Sequence, residues 1–225
     1  MKTFKKLALT LLVLFMLVPT FAFAQEVKET PELKAKIQNI VNTMPEDDAI
    51  EAIENLFGEN DRPHFATRSA ETRNFEIYKI PKDDTDKAKG PKLSMADAAF
   101  ISPSRIYSED GDIIIELTTT PIYYLLNQAD VTKVTIVGKN GNYDGENSDF
   151  RDPVTRHYKE KVQVPGKIVI TVPETEVLSQ SEVPNYNSML VVKFETNLRD
   201  DFALKLGNLF PDAMVNPTAK ILFNR

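Results

Sequence analysis

Apolar positions follow a helical rhythm near the start of the chain and a strand rhythm through its middle. The opening is different again: Lys2, Lys5 and Lys6 precede an apolar run from Leu7 to Val18, and Ala22-Phe23-Ala24 ends it as an A-x-A cleavage site before Gln25. That three-part pattern predicts a secretory signal over residues 1–24, since the run is shorter than the ~20 residues a membrane span needs. From Thr30 the spacing turns helical, with Thr30 as N-cap, Pro31 at the first helical position and Leu33, Ile37, Ile40 and Val41 on one stripe. Pro45 forces a break. Glu46, Asp47 and Asp48 suit the positive end of a second helix, whose Ile50, Ile53, Leu56 and Phe57 share a face before Gly58. Residues 25–58 therefore read as a helical hairpin and the polar stretch 59–74, with Pro63 and His64, as a linker.

From Phe75 the period is two. Phe75 to Ile80 alternates, as does Ile113 to Leu117 after the turn Glu109-Asp110-Gly111-Asp112; Val131 to Val137, His157 to Val164, Lys167 to Val172 and Met189 to Glu195 add further strands. Short strands with frequent turn signals predict an antiparallel β-sandwich over 75–196. Pro165-Gly166 reads as a tight turn, and Gly138 to Asp152 as a solvated loop. In the extension 197–225, Phe202, Leu204 and Leu206 alternate, and Leu209-Phe210-Pro211 and Ile221-Leu222-Phe223 add apolar groups. This tail is expected to pack on the sandwich or the hairpin, because so much apolar surface would otherwise be an aggregation hazard or a partner site.

Composition narrows the chemistry. The 225 residues contain no cysteine and two histidines, which removes disulfide scaffolds, thiolate metal sites and thiol nucleophiles. Loss of the leader takes away three lysines and no acid, moving the formal charge from −6 to −9 and disfavouring nucleic acid and anionic lipid as partners. Asp144, Glu146, Asp149 and Asp152 miss the calcium-loop spacing. His64 reads as a solvated loop residue and His157 as a strand surface residue. With no nucleophile–base pair or ligand cluster visible, the expectation is a binding protein, not an enzyme.

Leu93-Ser94-Met95-Ala96-Asp97-Ala98-Ala99-Phe100 after the first strand resembles the opening of a NEAT (near-iron transporter) domain, where a short helix carrying Ser-Met-Ala forms one lip of a haem pocket. In order, Asp110-Gly111-Asp112 with Ile113 to Thr119, then Pro121-Ile122-Tyr123-Tyr124, then Ile168 to Pro173 with Tyr186 to Phe194 are similar to later parts of that family. The last two segments resemble its final hairpin. The resemblance covers roughly Asn74 to Thr196 and implies an immunoglobulin-like sandwich that binds haem beside that hairpin. Haem-binding members carry Tyr-x-x-x-Tyr there, the first tyrosine ligating ferric iron and the second supporting it by a hydrogen bond. Tyr186 matches the first position and is the implied metal ligand. Leu190 stands at the second, where it cannot donate a hydrogen bond. The resemblance therefore implies weaker ferric binding, strengthened by Leu190→Tyr. Ser94 matches the lip serine that reaches a haem propionate, and Met95 and Phe100 are expected to cover the porphyrin face. Secreted haem binding and transfer is the implied function, with haem or a related porphyrin as cofactor and haem proteins or surface haem receptors as partners. The alternative is a NEAT-like protein-binding module without haem ligation.

Overall fold

The computed structural model describes residues 30–57, 73–82, 84–88, 90–124, 127–152, 163–178, 188–198 and 209–223. The leader, His64, His157, Tyr186 and the Phe202 to Leu206 alternation lie outside these residues.

Helices α1 (Pro31–Thr43) and α2 (Glu46–Phe57) form where the stripes predict them, broken at Pro45. Ile37 and Ile53 are fully buried and join the same apolar core as the strands. Glu54 and Asp47 reach Lys79 and Lys82 at 3.5 and 3.9 Å. Pairs this exposed contribute little, so burial of the apolar stripe holds the hairpin in place.

Eleven strands follow among the described residues: β1 (Phe75–Lys79), β2 (Phe100–Glu109), β3 (Asp112–Thr119), β4 (Ile122–Tyr124), β5 (Asn127–Ala129), β6 (Val131–Val137), β7 (Asn142–Asp144), β8 (Glu146–Arg151), β9 (Val164–Pro173), β10 (Ser188–Thr196) and β11 (Thr218–Phe223). They build a five-stranded sheet β1-β11-β10-β6-β7, a four-stranded sheet β2-β3-β9-β8 and a small pair β4-β5. Every pairing is antiparallel. The two larger sheets share one core. Ile113, Ile115 and Leu117 of β3 and Ile168, Ile170 and Val172 of β9 meet Leu190, Val192 and Phe194 of β10 and Val134 and Ile136 of β6. Each such side chain contributes roughly 1.5–3 kcal/mol when removed from water. The β2–β3 hairpin closes at Asp110 and Gly111, whose φ values of 51° and 89° give the doubly left-handed turn that Asp-Gly favours.

Four expectations are corrected. Residues 138–152 contain β7 and β8, not an unbroken loop; β8 is exposed along most of its length, so its residues carry no buried alternation to reveal a strand. Between them Gly145 moves the chain from one sheet to the other, so close to the core that a Cβ there would strike the Ile168 side chain and lie 3.2 Å from the Val134 carbonyl. Pro165-Gly166 is not a turn but part of β9, with Pro165 in register with Phe150. Proline is tolerated because pairing of β9 with β3 ends at Lys167, and the Pro165 carbonyl accepts from the Thr119 hydroxyl instead. Nor do Ile168 to Pro173 and the described part of the second segment, Ser188 to Phe194, form a hairpin: β9 and β10 lie in opposite sheets. Finally, residues 218–223 are not a covering tail. They form β11, laddered on both sides between β1 and β10, and the sandwich extends to Phe223.

Candidate functional site

The predicted lip is a 3-10 helix, Met95–Ala99, opened by Ser94. Ser94 sits in extended conformation and its Oγ accepts from the Ala96 N–H at 3.3 Å, capping the first turn. Its own N–H donates to the Ile77 carbonyl at 2.8 Å, and the Lys79 N–H donates to the Lys92 carbonyl at 2.8 Å. The segment thereby covers the β1 edge that β11 does not pair.

Asp97 fixes the middle of the turn. It is 1% exposed, accepts from the Ile77 N–H at 2.9 Å and pairs with Arg73. Arg73 Nη1 also donates to the carbonyls of Asp97 and Phe100 at 3.1 and 3.2 Å, and the guanidinium lies 4.5 Å from the centre of the Phe75 ring. One planar cation thus serves the carboxylate and the carbonyls at the C-terminal end of the turn, where positive charge is favoured.

Of the predicted site residues, Ser94, Met95 and Phe100 are brought together by this turn. Ser94 and Phe100 are buried, and the Phe100 ring contacts Phe194 at 5.7 Å between centroids. Met95 is half-buried against the core. Leu190 is elsewhere: it faces inward on β10, 1% exposed and in register with Ile221, which is in register with Ile77. Two strand spacings, about 10 Å, separate it from the strand that carries the turn. Tyr186, the proposed ligand, lies outside the described residues. Tyr123 and Tyr124 occur in β4.

A haem propionate matches the Ser94 hydroxyl in chemistry, but that residue is 4% exposed and offers no open approach. The Ser94 hydroxyl uses a lone pair for the cap, which leaves its proton to donate. The porphyrin face is restricted too, because Phe100 and Leu190 are enclosed and Met95 alone among the predicted covering residues is partly exposed. Among the described residues no group of three or more His, Asp or Glu is placed to hold a metal ion, and no helix is long and apolar enough to cross a membrane.

Sequence reasoning missed two polar centres. Arg73 was expected in the linker, and the signal for its partner is Asp97, a lone charge in the otherwise apolar run Met95 to Phe100. The second centre joins Asp130, 1% exposed, to Arg151 at 2.7 Å and to Asn197, whose side chain accepts from the Asp130 N–H at 2.7 Å. Arg151 Nε also reaches the Thr119 hydroxyl at 3.2 Å. Nearby in kind, the Glu176 carboxylate accepts from the N–H groups of Lys139 and Asn140 and from the Tyr143 hydroxyl, closing the β6–β7 turn. Burial pushes the Glu176 carboxyl upward, but the Asn140 side-chain amide, which also donates to it at 2.6 Å, together with those hydrogen bonds holds it below its ordinary value.

A scan against protein-family models found no match, and no curated protein matches the chain. Among solved structures the chain is similar to the NEAT5 domain of IsdX2, a B. anthracis hemophore in complex with heme, with a TM-score of 0.31 and 15% identity over 67% of this chain and 91% of that one. The β-sandwich assignment rests on the two sheets described above.

Proposed function

We propose that the protein is a secreted module that binds haem, or a related iron-porphyrin, and passes it between proteins at the cell exterior. The observation that carries this reading is the Ser94-capped turn, Met95–Ala99, which forms at the position where the sequence resembles a haem lip. Ser94 would donate to a propionate, Met95 would lie against the porphyrin, and Tyr186 would ligate the iron. Bound haem supplies a hard ferric centre suited to a phenolate. The chain's own contribution is binding and orientation; no catalytic step is assigned to it.

A second reading, a protein-binding module without haem ligation, draws support from the enclosure of Ser94, Phe100 and Leu190. Absorbance of the purified protein titrated with ferric haem separates the two. A Soret shift abolished by Tyr186→Phe is the expected result. No shift at micromolar haem refutes the first reading, and capture of haemoglobin by the immobilised protein then supports the second.

A further inference from the structure

The lip turn has few internal means of holding its position. It is five residues long, too short for a regular hydrogen-bond ladder, and its attachment to β1 runs through one short set of groups. Ser94 ties its start to Ile77; Asp97 ties its middle to Ile77; Arg73 ties its end, through the carbonyls of Asp97 and Phe100. Arg73 is the element of this set that does not belong to the turn or to the ladder of β1. Its side chain is 15% exposed against 0% for Asp97, so water reaches the cation before it reaches the carboxylate.

We infer that Arg73 is a positioning residue, a latch that sets how readily the Ser94 to Phe100 turn lifts from β1. This rests on the proposed function, in which Phe100 must become accessible for a porphyrin to meet it. The chemistry of the latch follows from its geometry. While Arg73 bridges the Asp97 carboxylate and two carbonyls, lifting the turn breaks several charge-assisted bonds at once and strands a buried carboxylate. Once the guanidinium swings toward solvent, Ser94 and the Ile77 N–H still tie the turn to β1, while its end stays anchored by the Thr120 N–H on the Ala99 carbonyl and by the Phe100–Thr119 pairing. A lysine at this position would pair with Asp97 as a point charge but would not present the same planar fork to the carboxylate and both carbonyls.

Hydrogen exchange of the full chain, with Arg73→Met and Arg73→Lys, tests the latch directly. In Arg73→Met the amides of Ala96 to Phe100 are expected to exchange about tenfold faster or more, as loss of a charge-assisted bond implies, while those of Leu190 to Phe194 stay at wild-type rates. Arg73→Lys is expected to fall between the two, and it keeps the test available should Arg73→Met fail to fold. With ferric haem loaded, release to apomyoglobin followed at the Soret band is expected to accelerate in the same order. Unchanged exchange in the turn overturns the inference, and so does an acceleration spread equally over β10, which would mark Arg73 as merely stabilising. If the wild-type protein gives no Soret shift, the haem reading fails on its own, and the exchange rates still decide whether Arg73 governs the turn.

Discussion

Leu190→Tyr is the substitution that the family pattern recommends and the packing opposes. Leu190 is 1% exposed on the inward face of β10, in line with Val192 and Phe194 and beside Ile221 of β11. A tyrosine there has to fit a ring and a hydroxyl into space filled by one isobutyl group. Overpacking of a close-packed core costs about 1–3 kcal/mol, and an enclosed hydroxyl without a partner adds about 1–3 kcal/mol. The sum, roughly 2–6 kcal/mol, is a large share of the ~5–15 kcal/mol that keeps a domain folded. At about 2–4 °C per kcal/mol for a chain of this size, the midpoint should fall by at least ~4 °C. Thermal unfolding followed by circular dichroism measures it, with Leu190→Met as the near-isosteric control, expected to cost less than about 1.5 kcal/mol. A variant that melts with the wild type and also binds ferric haem more tightly would refute the reasoning, because it would show that position 190 opens toward a ligand.

Three further outcomes are expected. Arg151→Met leaves the buried Asp130 carboxylate without its cation and should cost about 3–5 kcal/mol in urea unfolding, with Asp130→Asn in the same background restoring part of the loss; equal stability of wild type and single variant would contradict the pairing. Gly145→Ala should destabilise by about 1–3 kcal/mol, whereas Gly141→Ala, where nothing lies within 4 Å of an added Cβ, should be close to neutral; two equal midpoints would show that the sheet crossing tolerates a side chain. Hydrogen bonding from Arg105, at 2.9 Å from Nε, and the nearby Lys167 hold the Glu116 carboxyl below its ordinary value. A depressed carboxylate adds stability that is fully present above the unfolded value near 4.3 and disappears as pH falls through the folded one, so the gap in Tm between wild type and Glu116→Gln should be open at about pH 6 and close toward about pH 3. A gap that widens on acidification would reverse the sign.

The elements written most plainly in the sequence are those whose side chains carry the pattern themselves. In β3, Ile113, Ile115 and Leu117 alternate with less buried neighbours, and the Asp-Gly turn before it has a single favoured geometry; α1 and α2 show their stripes and their break at Pro45. Strand β8 is different, because it is defined by backbone pairing to β9 while its side chains face water. Pro165-Gly166 carries strong turn chemistry locally, and only its partners, Phe150 and Thr119, show that the chain runs straight there. The same limit applies at the lip. Ser94 and the short helix follow from local residue types, but the role of Arg73 depends on the proximity of residues 73, 97 and 100, which no spacing rule supplies.

The place of β11 bears on how the protein is made. Phe75 pairs with Phe223, so the first and last described strands of the sheet are neighbours, and β10 meets β1 only through the strand that leaves the ribosome after both. Until that strand emerges, β1 and β10 each present an unsatisfied edge, and the five-stranded sheet exists as separate pieces. The larger sheet therefore closes late: it cannot be completed before β11 is available, and ladders between such distant segments form slowly. Until β11 docks, the open edges of β1 and β10 are exposed to pairing with other chains, which is an aggregation hazard during that interval.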